Sequence, residues 1–248
     1  MGQAEFAQRA REVLDTFLGS QTEAVARAGE LVAGALLDGG VLQAFATGHS
    51  RSVALELVGR AGGLVPANQL GIRDLVYYGD APPVDILDPL VERDPGLAAR
   101  IWELADIRPG DPFVIISQSG GNGSVVEMAR IAVERGHAVV AITSLAHTER
   151  IVSRHASGLR LVDLAAVTID NGAPYGDAAL STPQDRVCAL SNLTGILAAQ
   201  LLVADIVDRF LAAGRRPPVF SSNNIPGSDE RNRELLAHYG TRVRLGDA

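Results

Sequence analysis

The sequence contains a single cysteine, Cys188, among 248 residues. One thiol excludes a disulfide bond within the chain, and a reducing cytoplasm is the expected location. Cys188 lies in an apolar stretch, from 185 to 213, which we predict as one long helix. We therefore expect this thiol to be a small buried side chain.

Positive charge is also scarce. Arg and Lys together number 22 against 29 Asp and Glu, which gives a formal net charge of -7 at pH 7. A polyanion would be repelled by such a chain unless a basic stripe compensated for it, and the sequence has no cluster of basic residues. We expect no nucleic-acid partner.

Two further absences concern membranes and export. The first residues lack a basic segment followed by an apolar one, and no apolar run approaches the roughly 18 residues that a membrane span requires. We expect a protein that is neither exported nor bound to a membrane. Its hydrophobic content of 47% supports a sizeable core. We predict one α/β domain over 1–248, with an N-terminal helical extension, 1–38, and a C-terminal tail, 215–248.

The main pattern is an alternation of short apolar runs with helical stretches. Apolar residues at three- and four-residue spacing over 4–38 predict one or two helices before the first strand. Strands are predicted at 41–47, 112–117, 139–142 and 166–169, and the main helices between them at 52–61, 97–105 and 124–135. This order is typical of a doubly wound parallel sheet.

Two small polar turns follow the first two of these strands. Gly48 and Ser50 belong to the first turn, whereas Ser117, Ser119 and Ser124 belong to the second, together with three glycines that include Gly120. Serine hydroxyls and glycine backbone N–H groups at the start of a helix favour an anion, above all phosphate. Ordinary helix capping would also select glycine, serine and asparagine here, and this alternative stays open, more so for the first turn.

The second turn differs from the common nucleotide-binding loops. It has no Gly-Lys-Ser/Thr, as a Walker loop does, and it lacks the G-x-G-x-x-G arrangement of a dinucleotide site. A nucleoside triphosphate is therefore disfavoured.

Together, Gly48-His49-Ser50 and Ser117-Gln118-Ser119-Gly120 resemble the sugar isomerase (SIS) domain. Nearly the whole chain fits this resemblance. The segments 59–68, 122–127 and 170–177 resemble a bacterial subgroup of single-domain SIS proteins, some of which look like dehydratases of N-acetylglucosamine 6-phosphate.

The resemblance implies a three-layer, flavodoxin-like sheet within a dimer and a sugar phosphate held by Ser50, Ser117, Ser119 and the turn after them. The family's usual hydroxyl two positions beyond the glycine is replaced here by Asn122, so its role passes to Asn122 or Ser124. The chemistry that it implies begins with removal of the proton next to the open-chain carbonyl. The resulting enol is either reprotonated or expels the neighbouring hydroxyl.

Three residues are candidates for the acid/base groups, and each has a structural alternative. Asp177 closes the loop after the last predicted strand, but it would serve equally well as a helix cap. Glu56 follows Ser50 by six positions, and a solvated or ion-paired helix residue is the alternative. His49 could protonate a leaving hydroxyl or simply bond the backbone. Asn171 could orient a sugar hydroxyl or hold an Asn-Gly turn.

The histidines and carboxylates show no metal-ligand spacing, and we predict no metal and no cofactor. The N-terminal helices and the long apolar helix near the C-terminus predict a homodimer or homotetramer, because a monomer would expose their apolar surface. A polar cluster in the tail, at 223–230, is expected to close a partner's site.

Three functions are consistent with these features. The first is a lyase that dehydrates N-acetylglucosamine 6-phosphate. The second is an aldose-ketose isomerase of another sugar phosphate. The third is a noncatalytic phosphosugar sensor, which we would favour if Asp177, Glu56 and His49 all pointed away from the serine turns.

Overall fold

A computed structural model describes residues 2–245, and its centre is a five-stranded parallel sheet. The strands are β1 (Leu42–Ala46), β2 (Ala67–Leu70), β3 (Phe113–Ile116), β4 (Val139–Thr143) and β5 (Val167–Asp170). Their order in the sheet is β2-β1-β3-β4-β5, and every neighbouring pair is parallel. This is the flavodoxin-like order, in which the direction of winding reverses between β1 and β3. The predicted α/β fold class is confirmed.

Both faces of the sheet are covered, which explains why its strands are apolar without alternation. In β3, Val114 and Ile116 pack into one core, and Phe113 and Ile115 pack into the other. The first core lies under α1 (Gln3–Ser20), α2 (Thr22–Leu37), α3 (Arg51–Leu57) and the later helix α9 (Ser191–Ala212). The three-layer arrangement and the extra N-terminal helices are thus as predicted.

The second core lies under shorter helices. These are α4 (Asp74–Tyr77), α5 (Gly96–Glu103), α6 (Gly123–Glu134), α7 (Leu145–Thr148) and α8 (Leu161–Leu164), of which α4, α5, α6 and α8 contribute side chains to the core. Gly136, with a φ of 83°, closes α6 as the sequence predicts. The tail forms one more helix, α10 (Ser228–Tyr239).

The predicted helix over 185–213 begins later than expected. Residues 186–189 form strand β7 (Arg186–Ala189), which pairs antiparallel with β6 (Ala178–Ser181), and α9 starts only at Ser191. Thr182 closes the hairpin, because its hydroxyl donates to the Asp185 carbonyl at 3.0 Å and accepts from the Asp185 N–H at 2.7 Å.

Cys188 therefore lies in a strand, where it is exposed and has a φ of 67°. The expectation of a buried helical thiol is wrong. Apolar composition alone does not distinguish a short hairpin strand from the start of a helix.

Among residues 2–245, no helix combines the length and the apolar character that crossing a bilayer demands.

Candidate functional site

A cleft of about 920 Å³ opens at the carboxyl ends of β1 and β3, where the winding of the sheet reverses. Ligands of open parallel sheets bind at this position, because turns from neighbouring strands and helix N-termini converge there. The residues that line the cleft come from seven separate segments of the chain: Thr47, Gly48, His49, Ser50, Arg51, Ser52, Leu55, Gln69, Arg73, Pro89, Glu92, Ser117, Gln118, Ser119, Asn122, His147, Asp177, Ser191 and Asn192.

The turn after β1 forms the first wall. Gly48 has a φ of 55°, and a Cβ at this position would lie 3.2 Å from Oε2 of Glu92. Glycine is therefore required here both by the backbone and by the close approach of a carboxylate. The Arg51 Nε donates to the Gly48 carbonyl at 3.2 Å, and His49 is exposed. The structure thus brings Gly48, His49 and Ser50 to the cleft.

The turn after β3 forms the second wall. The Oγ of Ser117 accepts from the Gly120 N–H at 3.1 Å, and that of Ser119 accepts from the Gly121 N–H at 3.4 Å. Because each hydroxyl oxygen serves the backbone as an acceptor, its hydrogen remains available as a donor. Gly120 adopts a φ of 64° and lies close to two threonine hydroxyls of the core, which fixes the turn. Both serines thus line the cleft with a hydroxyl that can still donate a hydrogen bond.

Asn122 and Ser124, at the start of α6, have different positions. Asn122 lines the cleft, where its Nδ2 donates to Oε1 of Glu92 at 2.7 Å and its Oδ1 accepts from Arg154 at 3.1 Å. Ser124 is fully buried outside the cleft, and its hydroxyl donates to the Glu92 carbonyl at 2.7 Å. A Cβ on Gly123 would overlap the Arg93 carbonyl, so the short turn Val91–Arg93 packs directly on the helix start. Ser124 holds that turn and does not reach a cleft ligand.

Asn171 also lies outside the cleft. Its Oδ1 accepts from the Ala173 N–H at 2.9 Å, which closes the Asn-Gly turn, and its Nδ2 donates to Oε1 of Gln118 at 2.8 Å. The expected sugar contact is replaced by a structural role, because the side chain is 3% exposed and both ends of its amide are used. Gln118 is thereby oriented, and its own Nε2 is buried without a hydrogen-bond partner in the part of the chain that the structure describes.

Asp177 caps a helix. Its Oδ1 accepts from the N–H groups of Leu190 and Ser191, at 3.1 and 2.7 Å, and its Oδ2 accepts from the Ser191 hydroxyl at 2.6 Å. These three hydrogen bonds satisfy the start of α9 and stabilise the charged carboxylate. Asp177 borders the cleft, but the structural alternative considered for it describes its contacts better than a role as base.

Glu56 does not reach the cleft. It forms an ion pair with Arg60 and accepts from the Gln200 Nε2 at 2.9 Å, on the side of α3 that faces α9. Ser52 and Leu55, one turn apart on α3, line the cleft. Glu56 itself is absent from the cleft lining, and its carboxylate is held by Arg60 and Gln200. The role as base predicted for Glu56 is not supported by this position.

Two titratable residues that the sequence analysis did not select line the cleft. One is Glu92, which lies in the irregular region before α5. The other is His147, whose backbone N–H is capped by the Ser144 hydroxyl at 3.1 Å. His147 follows the carboxyl end of β4, and its position after a strand was a signal that could have identified it.

The imidazole of His147 has a defined tautomer. Its Nδ1 accepts from the backbone N–H of Gly176 at 3.2 Å, so the ring hydrogen lies on Nε2 when the residue is neutral. Burial lowers the pKa of His147 below its ordinary value, and the nearby Asp177 carboxylate partly opposes this. His147 is therefore a neutral hydrogen-bond donor at pH 7.

Cations flank the serine turns. Arg51 and Arg73 both line the cleft, and Arg73 donates to Oε1 of Gln69 at the end of β2. Within residues 2–245, no three His, Cys, Asp or Glu side chains are grouped so that they could hold a metal ion.

Comparison with known proteins gives one family. A model of the SIS domain matches residues 5–144 of this chain. The chain is 34% identical over 236 residues to a UPF0309 protein of Caldanaerobacter subterraneus subsp. tengcongensis, which covers 93% of this chain and 94% of that protein.

Solved structures share the fold at low sequence identity. Phosphoheptose isomerase GmhA from Neisseria gonorrhoeae has a TM-score of 0.52 at 20% identity, over 83% of this chain and 96% of that one. The Vibrio vulnificus NanR protein complexed with ManNAc-6P has a TM-score of 0.51 at 17% identity, over 94% of this chain and 64% of that one.

Proposed function

The chain belongs to the SIS domain family, and on that premise we propose that it is an enzyme that binds a phosphorylated sugar in the cleft between β1 and β3. We place the dehydration of N-acetylglucosamine 6-phosphate first. The observation that carries this proposal is the meeting of three serines, Ser50, Ser117 and Ser119, with two acid/base groups, Glu92 and His147, in one cleft.

The serine turns are the proposed phosphate site. Ser117 and Ser119 keep a hydroxyl hydrogen free because their oxygens accept from the backbone. The following helix α6 adds the positive end of its dipole, and Arg51 and Arg73 add formal charge at the rim. These groups match the charge and the acceptors of a phosphate monoester.

The reacting carbonyl requires acid/base catalysis by this chain. The sequence contains no lysine, so no lysine of this chain can form a Schiff base with an open-chain sugar. Proton removal next to the carbonyl therefore needs a carboxylate or an imidazole within the cleft.

We assign the base to Glu92. Its Oε1 accepts one hydrogen bond from Asn122, which orients the carboxylate and leaves Oε2 beside Gly48. Asp177, by contrast, accepts three hydrogen bonds at the start of α9. Of the two carboxylates that line the cleft, Glu92 is therefore the one with an oxygen left to accept a proton from the substrate.

We assign to His147 the hydrogen bond that stabilises the departing oxygen, with His49 as the second imidazole of the cleft. Because Nδ1 of His147 is held by Gly176, its Nε2–H is the donor that a leaving hydroxyl would meet. In the proposed reaction Glu92 takes the proton from C2 of the open-chain sugar. The C2–C3 double bond then forms as the C3–O bond breaks, and the proton that Glu92 took passes to the departing oxygen, which leaves as water while it accepts a hydrogen bond from Nε2–H of His147.

Two other functions keep support. Isomerisation shares the first step and differs only in that the enol is reprotonated, and the fold of phosphoheptose isomerase is similar. A sensor would need the serines alone, and the NanR protein of similar fold was solved with ManNAc-6P. Glu92, His49 and His147 in the cleft favour an enzyme over a sensor.

The test is to incubate the purified protein with N-acetylglucosamine 6-phosphate and to follow the mass and the ultraviolet absorbance. We expect a product lighter by one water. An unchanged mass with a new ketose would replace dehydration by isomerisation. Binding without turnover across a panel of sugar phosphates would reject both enzymes and leave the sensor.

A further inference from the structure

The C-terminal segment, 243–245, runs beside the edge strand of the sheet, close to the cleft but outside it. The backbone N–H of Arg244 donates to Oδ1 of Asn68 at 3.0 Å. Asn68 belongs to β2, the edge strand, and the next residue of that strand, Gln69, lines the cleft. The segment thus contacts the strand that leads into the site.

The side chain of Arg244 reaches the end of helix α4. Its guanidinium carbon lies 3.9 Å from the ring centroid of Tyr78, which directly follows α4. Its Nη2 donates to the Leu104 carbonyl at the end of α5. Its charge also acts on the carboxylate of Asp74, the first residue of α4, which is 5% exposed.

Helix α4 connects these contacts to the cleft. Arg73, which lines the cleft, is the residue that precedes α4, and its carbonyl accepts from the N–H of Tyr77 at 3.0 Å. A four-residue helix is one turn and has no stability of its own, so contacts with its surroundings hold it. The stacking of Arg244 on Tyr78 supplies such a contact, and the bond to the Leu104 carbonyl fixes the guanidinium at the end of α5.

We propose that Arg244 is a positioning residue, which acts through α4 to hold the Arg73 guanidinium at the cleft for a phosphorylated ligand. The identity of the ligand rests on the proposed function, but the hold on Arg73 does not.

The first measurement is a double-mutant cycle on the affinity for N-acetylglucosamine 6-phosphate, by titration calorimetry. Arg73→Ala and Arg244→Ala should each weaken binding about tenfold, and the double variant should bind no more weakly than either single variant. A merely structural role would make the two effects add, which would overturn the proposal.

The matched control is Arg242→Ala. Arg242 directly precedes the segment 243–245 and binds elsewhere, to Asp111 at 2.6 Å and to the Gly39 carbonyl at 3.0 Å. We expect it to lower the melting temperature and to leave the ligand affinity unchanged. If Arg242→Ala lost as much ligand affinity as Arg244→Ala, the packing of the C-terminal segment as a whole would matter for binding. The specific role of Arg244 would then be rejected.

A second measurement needs no ligand. Hydrogen exchange of the Tyr77, Tyr78 and Gly79 amides, which bond the carbonyls of Arg73 and Asp74, should speed up in Arg244→Ala but not in Arg242→Ala. If the wild type binds no sugar phosphate, the proposed function fails while this result still decides the inference. Unchanged exchange would refute it. Should Arg244→Ala not fold, Tyr78→Ala removes the same stacking from the exposed side and should give the same acceleration.

Discussion

Replacing Asp177 separates helix capping from catalysis. Asparagine keeps an oxygen that can accept from the Leu190 and Ser191 N–H groups, and it tolerates the φ of 62° at this position. Alanine keeps neither property. We therefore compare Asp177→Asn with Asp177→Ala.

The expected magnitudes follow from the contacts. Asp177→Ala leaves the start of α9 without its cap and should lower the free energy of unfolding by about 2 kcal/mol. Asp177→Asn loses the negative charge near the positive end of the helix dipole and should cost about 0.5 kcal/mol. Both variants should turn over a sugar phosphate within about threefold of the wild type where they are folded, since the carboxylate is not the proposed base.

Urea unfolding followed by circular dichroism measures the first effect, and initial rates on the same samples measure the second. For Asp177→Ala the midpoint should fall by about 1 M urea. If Asp177→Asn instead lost two orders of magnitude in kcat at unchanged stability, Asp177 would be the base and the assignment to Glu92 would be refuted.

Three further predictions concern the cleft and its surroundings. Glu92→Gln should lower kcat by at least about 10²-fold and leave ligand affinity within about threefold, because the amide retains the Asn122 contact but cannot take a proton. A loss of ligand affinity as large as the loss of kcat would contradict the role as base. Ser119→Ala should weaken the binding of a phosphorylated ligand about tenfold, as measured by isothermal titration calorimetry. The control Ser124→Ala should lower stability and leave ligand affinity unchanged. Equal ligand affinities of the two variants would count against the phosphate assignment. Burial raises the pKa of Asp74 from 3.8 to about 6, so the folded state holds this proton more tightly than the unfolded state. The stabilisation is fully present below pH 3.8 and is lost as the pH rises through about 6. Relative to Asp74→Asn, the wild type should therefore lose up to about 3 kcal/mol of unfolding free energy between about pH 4 and pH 7, and parallel stability curves would exclude a raised pKa.

The sheet and the serine turns could be predicted from the sequence because their signals are local. A run such as the one in β3, apolar on both faces, already indicates a covered parallel strand. The turns that follow β1 and β3 carry their chemistry in neighbouring positions, and parallel topology brings strand ends together.

The proposed base, Glu92, and the structural roles of Asp177 and Glu56 could not be predicted, because contacts distant in sequence decide them. Glu92 reaches the cleft through a turn that Ser124 holds from 32 residues away. Asp177 is 14 residues from the helix start that it caps, and this contact also sets where α9 begins. Glu56 lies near the turn in sequence, but its carboxylate pairs with Arg60 and with Gln200, which is 144 residues away.

The seating of Val91–Arg93 on the start of α6 has a consequence for substrate size. The Ser124 hydroxyl ties the Glu92 backbone to the same helix end that would receive the phosphate. The start of α6 therefore fixes the distance between the proposed phosphate site and the carboxylate of Glu92. This fixed distance selects sugar phosphates by the length of their carbon chain. In the proposed reaction, a sugar phosphate one carbon shorter would seat its phosphate and leave its C2 short of the carboxylate.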